Sequence, residues 1–385
     1  MVTPQRIYLD YAAATPMDER VIAVMRPYFS ELFYNPSSPY GPAREVRQAI
    51  DGARAKLAMV MGVKPDEIIM TAGATESVNI AIQGVMAEGG HLVTSSIEHH
   101  AVLAAARNYD HTLVAPTEKG VVTPESIKSA LKPETRLVSV AVANNEIGTI
   151  QPLRDIAQIL EAERERRREQ GEAAPLYFHS DASQGAGVIS LNVARLGLDL
   201  LTLNAGKCYG PKQVGLLWAH SHVRLRPLIV GGGQESGIRA GTENVAGIIG
   251  FAEALNIAET LRRQEIERLT DLRDLLQAKL TDAFADMEVS GYLKRRLPGI
   301  LHVTWPGLDA ERVLYALDMQ GVLVATGSAC AANKGTRSHV LVGIGMSPER
   351  ADGSIRFSLG RHTTEEEIME AARIVIDTVQ RERSR

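Results

Sequence analysis

A chain of 385 residues can bury a large core, and its length points to two domains. A net charge of -4, spread over 42 basic and 46 acidic side chains, gives no reason to expect nucleic acid or a membrane surface as a ligand. Two cysteines, Cys208 and Cys330, leave no disulfide framework; no run approaches the roughly 18 apolar residues of a membrane span, and residues 1–6 lack a signal peptide's apolar stretch, so a cytoplasmic protein is expected.

In chain order, residues 6–11 (Arg-Ile-Tyr-Leu-Asp-Tyr) read as a short strand that runs into the small residues Ala12 to Ala14. Residues 18–32 carry a helical pattern, Asn35-Pro36-Ser37-Ser38-Pro39 must be a loop, and a helix is expected over about 43–61, stopped by Gly62. Residues 67–71 follow as a strand. The turn after it, Ala72-Gly73-Ala74-Thr75-Glu76-Ser77, leads into a helix expected from Val78. Small residues with hydroxyls at a helix start expose backbone N–H groups that suit a phosphate; an ordinary helix cap by Thr75 or Ser77 is the competing reading.

Strands are expected at 91–95 and 137–142, and each runs into polar residues: Glu98-His99-His100 after the first, Asn144-Asn145-Glu146 after the second. One of the two histidines can face a cleft; a solvated pair at a helix start is the alternative. The charged run 161–170 reads as a solvated helix end. Residues 177–181 (Tyr-Phe-His-Ser-Asp) form an apolar strand ending in Asp181, with Gln184 just beyond. Residues 198–203 form a buried strand that breaks before Lys207, and another strand starts at Val214. Strands alternating with helices from 67 to 217 indicate an α/β fold, a mainly parallel sheet with helices on both faces and ligands beyond the strands' carboxyl ends. Thr75, His99, Asn145, Asp181, Gln184 and Lys207 all follow predicted strands and should gather at one rim. A pyridoxal-phosphate enzyme needs a lysine for the Schiff base and a carboxylate for the pyridine nitrogen, and Lys207 and Asp181 supply that pair.

Residues 231–244, from Gly231-Gly232-Gly233 to Glu243-Asn244, are too glycine-rich for an element interior and read as a functional loop, with a linker as the alternative. A long helical region over about 244–285 crosses to a smaller domain with strands at 300–304, 322–325 and 354–359, a helix at 310–319 and a last helix after Thr364. Between these elements lies Thr326-Gly327-Ser328-Ala329-Cys330-Ala331-Ala332-Asn333-Lys334-Gly335. Few of its residues have anything to bury, so Cys330 is placed to act as a nucleophile rather than to pack; an incidental small residue is the alternative.

These stretches resemble the cysteine desulfurases of the IscS/NifS type, class V aminotransferases among the fold-type I pyridoxal-phosphate enzymes. The resemblance rests on Tyr8-Leu-Asp-Tyr-Ala-Ala-Ala-Thr-Pro16, Asn35-Pro-Ser-Ser38, Thr71-Ala-Gly-Ala-Thr-Glu-Ser77, Glu98-His99, Asn144-Asn-Glu-Ile-Gly148 and Asp181-Ala-Ser-Gln184. It continues through Lys207 with Tyr209-Gly-Pro-Lys212, Arg239-Ala-Gly-Thr242, Gly327-Ser-Ala-Cys330 and Ile355-Arg-Phe-Ser-Leu-Gly-Arg361, nearly the whole chain in family order.

By that resemblance, Lys207 would hold pyridoxal 5′-phosphate through a Schiff base, Asp181 would pair with its pyridine nitrogen, Gln184 would bond its phenolic oxygen, and His99 would stack on the ring and help move protons. Ala74, Thr75 and Asn204 would contribute to the phosphate site, with Thr242 supplied by the other subunit of a homodimer. Arg356, assisted by Asn145, would take the carboxylate of L-cysteine, and Cys330 would take its sulfur, leaving L-alanine and a persulfide; no metal is assigned. The implied sulfur acceptor is a protein such as an iron–sulfur scaffold or a tRNA-thiolation protein. The implied division is a large domain over 16–255 and a small one from 1–15 and 256–385 that carries Cys330. The family's usual Ser-x-His-Lys is here Asn204-Ala205-Gly206-Lys207, which predicts weaker cofactor retention, and Tyr40 stands where a histidine is usual near Asn35-Pro-Ser-Ser38. A selenocysteine lyase or another amino-acid enzyme of the same fold, and a cofactor-poor scaffold protein, are the alternative functions.

Overall fold

The structure is a computed structural model in which residues 6–327 and 337–384 are described. Strand β1 (Ile7–Tyr8) is followed by β2 (Ile68–Thr71), β3 (His91–Ser95), β4 (Asp110–Val114), β5 (Thr135–Ser139), β6 (Tyr177–Asp181), β7 (Leu200–Asn204) and β8 (Gly215–Ala219). From β2 onward these form one 7-stranded sheet in the order β2-β8-β7-β6-β5-β3-β4. Helical crossovers keep β4, β3, β5, β6 and β7 parallel. Residues 205–214 join β7 to β8 without a helical crossover, so β8 runs antiparallel to β7, and β2 antiparallel to β8. Two reversals restore direction. The carboxyl ends of β2, β3, β5, β6 and β7 therefore share one rim, as the sequence requires for a single site.

Most of these strands are buried on both faces, which is why they are legible as continuous apolar runs. The edge strand β4 is not: Asp110, His111 and Thr112 give it a polar, partly exposed sequence with no apolar run to mark it. Two helix boundaries also differ from expectation. The pattern over 18–32 is two helices, Glu19–Met25 and Pro27–Ser30, because Pro27 has no N–H to continue the ladder. The helix expected from Val78 begins at Ala74, directly after Gly73 at φ 124, so the small residues form its first turn rather than a preceding loop.

A second core gathers Leu276, Leu280, Trp305, Val313, Phe357 and Ile368, together with Ile7 and Leu9 from the start of the chain. Its strands are β9 (Glu288–Val289), β10 (Ile300–Thr304), β11 (Val322–Leu323) and β12 (Ser354–Ser358); β12-β10-β9 is antiparallel, and β1 pairs in parallel with β11. The 39-residue helix Val245–Ala283 joins the two cores. Phe251 and Leu255 pack with the large sheet, and Leu272, Leu276 and Leu280 with the small one. Among the described residues, no helix is long and apolar enough to cross a membrane.

Candidate active site

A cleft of about 270 Å³ opens at the shared rim, and Ala74, Thr75, His99, Asn145, Asp181, Gln184, Asn204, Lys207 and Arg356 all line it. The first two of those come from the helix after β2, His99 from the end of β3, Asn145 from beyond β5, Asp181 from β6, and Asn204 and Lys207 from β7 and its turn. Arg356 enters from the small sheet on β12.

The turn that presents Lys207 is set by Asn204, whose Oδ1 accepts the Gly206 N–H at 3.1 Å and shapes a single 3-10 turn over Ala205–Lys207. The Lys207 Nζ donates to the carbonyls of Ala12 (2.7 Å) and Ala13 (2.6 Å). Those carbonyls are held in place by the same neighbourhood: Gln184 Nε2 donates to Ala12 O at 3.1 Å, Thr15 Oγ1 donates to Gly206 O at 3.1 Å, and Lys212 Nζ donates to Thr15 O at 2.8 Å. Asp181, half-buried at the end of β6, accepts the N–H and hydroxyl of Ser183 on Oδ1 at 2.9 and 2.6 Å.

Of the two adjacent histidines, His99 lines the cleft and His100 does not. His99 Nδ1 accepts the Ala101 N–H at 3.1 Å and caps the helix His100–Ala106. A neutral ring that accepts on Nδ1 carries its proton on Nε2. Burial lowers the basicity of His99; Asp181 opposes the shift, and Lys207 and His339 add to it. The preceding Glu98, which sequence reasoning treated only as part of a motif, is fully buried. Its two oxygens accept the Ala141 N–H at 3.0 and 3.1 Å, and Oε1 accepts the Ser95 hydroxyl at 3.0 Å.

At the helix Ala74–Met86 the first i to i−4 bond runs from Ser77 to Gly73, so the N–H groups of Ala74, Thr75 and Glu76 have no intrahelical partner. Ser77 is not available to a ligand: it is buried and bonded to Thr71 and Gly73. An amine, a carboxylate, a neutral imidazole, a hydroxyl and free N–H groups at a helix start form a donor set that fits pyridoxal phosphate. Gly206 is buried, and a Cβ there would sit in ordinary contact with Asn204 Oδ1 at 3.5 Å and Lys212 Cγ at 3.7 Å.

Arg356 is buried, with Nη2 donating to Asp10 Oδ1 at 2.6 Å and Nη1 to the Asn145 carbonyl at 3.0 Å. Its Nε has no partner among the described residues. The planar fork of a guanidinium in a cleft wall suits a carboxylate. Asn145 thus meets Arg356 through its main chain, and Asp10 is a partner that the sequence did not disclose. Neighbouring Asn144 shapes the rim, accepting the N–H groups of Glu146 and Ile147 at 2.9 and 3.0 Å.

Thr242, expected at the site of the other subunit, does not line the cleft of its own chain. It is exposed on the glycine-rich loop, which is tied down by paired 2.8 Å bonds from Arg54 to Glu235. Cys330 lies outside the described residues. Cys208, next to Lys207, is buried, and burial pushes its thiol up to about 12, so it is held as an unreactive thiol.

The family model described as aminotransferase class-V matches residues 7–370. The chain is 43% identical over 373 residues to the cysteine desulfurase IscS of Dictyoglomus turgidum, covering 94% of this chain and 92% of that one. Among solved structures, a NifS-like protein superposes with a TM-score of 0.89 at 32% identity, over 98% of this chain and 100% of the other. A structure of SspA in complex with cysteine gives a TM-score of 0.78 at 32% identity, over 94% of this chain and 100% of the other.

Proposed function

The chain belongs to the aminotransferase class-V family, and within it we propose that it is a pyridoxal-phosphate-dependent cysteine desulfurase that converts L-cysteine to L-alanine and passes the sulfur to Cys330. The observation that carries this reading is the gathering of Lys207, Asp181, His99, Thr75 and Arg356, from five separate elements, around one cleft. A curated relative and a cysteine-bound structural neighbour support L-cysteine as the substrate.

In this reading Lys207 would hold the cofactor covalently, Asp181 would serve its pyridine nitrogen, Gln184 its phenolic oxygen, and Thr75, Asn204 and the Ala74 N–H would hold its phosphate. When bound, the cofactor supplies a sink for the electron pair released at the amino acid's α-carbon. Arg356 fixes the substrate carboxylate through its guanidinium, and the Asn145 carbonyl keeps that group oriented. Once the substrate amine has displaced Lys207, its Nζ can return to the Ala12 and Ala13 carbonyls and exchange a proton with the substrate carbon. His99 offers an Nε2–H. The Cys330 thiolate attacks the substrate sulfur; the new S–S bond forms as the carbon–sulfur bond breaks, and the carbon is protonated to the methyl group of alanine. The buried, protonated state of Cys208 supports Cys330 in this role.

The exposed Thr242 supports a homodimer in which this residue reaches the partner's phosphate site. The division into 16–255 against 1–15 with 256–385 fits the two cores and the helix between them. A persulfide-forming enzyme with lone thiols fits a reducing cytoplasm, with the sulfur leaving to a protein acceptor of iron–sulfur assembly or tRNA thiolation. The test is incubation of the cofactor-loaded protein with L-cysteine and a thiol reductant. Equimolar alanine and sulfide are expected; a loaded, coloured protein that forms neither contradicts the assignment.

A further inference from the structure

Beyond the cleft, one histidine is bonded in a way that reaches it. The helix His339–Gly343 starts immediately after Ser338, whose Oγ donates to Glu146 Oε2 and accepts the Val340 and Leu341 N–H groups at 3.1 and 3.3 Å. Its apolar face, Val340, Leu341 and Ile344, packs on Ile97 and Ile147, which flank the two rim segments after β3 and β5. The fit is close: a Cβ at Gly343 would stand 2.7 Å from Ile97 Cγ2.

From this helix His339 lies 2.8 Å from the carbonyl of Glu98 through Nε2. A carbonyl only accepts, so Nε2 carries a proton and donates it, while Nδ1 is buried and without a partner among the described residues. The ring also packs on His100 at a centroid distance of 4.4 Å. Glu98 is the residue before His99, and its side chain is fixed to Ala141 and Ser95. The peptide leading into His99 is therefore held from two sides, by its own carboxyl and by His339.

We propose that His339 is a positioning residue for the reaction: its Nε2–H holds the Glu98 carbonyl and so sets the height and tilt of the His99 ring in the cleft. The proposal rests on the reading of the cleft as a pyridoxal-phosphate site. It does not place His339 in contact with substrate. A misplaced ring costs turnover, whereas Arg356, which binds the substrate, is untouched, so the effect falls on kcat and not on KM.

The test compares His339→Leu, which has no donor, with His339→Gln, whose amide nitrogen is the same number of bonds from the backbone and can donate to the same carbonyl. Three readouts are taken on each full-length protein: hydrogen exchange of the peptide 97–103, visible circular dichroism of the bound cofactor, and kcat and KM for alanine release. His339→Leu is expected to lose protection in that peptide, change the dichroism and lower kcat by about tenfold or more with KM near wild type. His339→Gln is expected to keep most of all three. Unchanged protection in His339→Leu, or equal losses in both variants, overturns the proposal. Hydrogen exchange is read on the protein alone, so it decides this contact even if the protein proves to bind no pyridoxal phosphate, the result that would defeat the functional reading instead.

Discussion

Asp10 and Arg356, 346 positions apart in the chain, form a 2.6 Å ion pair in the wall of the cleft. The guanidinium is 1% exposed and the aspartate 19%. Asp10→Ala would leave a buried charge without its counter-ion, and a loss of roughly 3 kcal/mol in unfolding free energy is expected, measured by urea denaturation. The same change should raise the KM for L-cysteine, because among the described residues Arg356 then keeps only the Asn145 carbonyl to orient it. Asp10→Asn retains an acceptor oxygen and should lose less on both counts.

Glu98 makes stability depend on pH in the alkaline direction. Burial raises its pKa to about 8 from an ordinary 4.5, with its hydrogen bonds from Ala141 and Ser95 opposing the shift and Asp181 adding to it. The folded protein thus keeps a proton that the unfolded chain has released. Its contribution is complete below pH 4.5 and is lost as pH rises through about 8. The expected slope approaches ~1.4 kcal/mol per pH unit within that window. Glu98→Gln, which can still accept from Ala141, should flatten this decline in urea unfolding series run across it.

The end of the cleft lined by Ala74 and Thr75 depends on two glycines in contact. A Cβ on Gly215 in β8 would stand 2.7 Å from Cα and C of Gly73 and 2.8 Å from Leu203 O, all backbone atoms that cannot swing aside. Gly215→Ala should cost about 1–3 kcal/mol by overpacking. It should also displace Gly73, which starts the helix bearing Ala74 and Thr75, and so weaken cofactor binding. Thermal unfolding and cofactor titration together check both effects.

The turn Asn204–Lys207 carries the difference from the family's usual motif. A Cβ at Gly206 meets its neighbours at ordinary contact distances, and the paired change Asn204→Ser and Gly206→His should add a donor to phosphate. A charge-assisted hydrogen bond contributes roughly 1.5–3 kcal/mol, so about tenfold or more tighter retention of pyridoxal phosphate is expected in equilibrium dialysis.

The large sheet and most of the site were readable in the sequence because they share one physical signature. Strands buried on both faces appear as apolar runs, and the polar residue that follows each is at the rim, so Asp181, His99 and Lys207 could be placed before any contact was known. β4 escaped because an edge strand need not be apolar. Asp10 escaped for another reason: its partner is on β12, and no local pattern links an acid before three alanines to an arginine in a different core. The main-chain acceptors at Ala12, Ala13 and Asn145 were invisible in principle, since a carbonyl belongs to every residue. His339 lay outside the residues singled out because its role is a bond to a backbone atom of another segment.

The most direct test of the central claim follows the sulfur itself. Cofactor-loaded protein is treated with L-cysteine without reductant, and the peptides containing Cys330 and Cys208 are weighed beside those of Cys330→Ala. The account predicts one added sulfur on Cys330, none on Cys208, and loss of alanine release in the variant. Alanine formed at an undiminished rate by Cys330→Ala, with no sulfur retained on the wild-type Cys330, would contradict it.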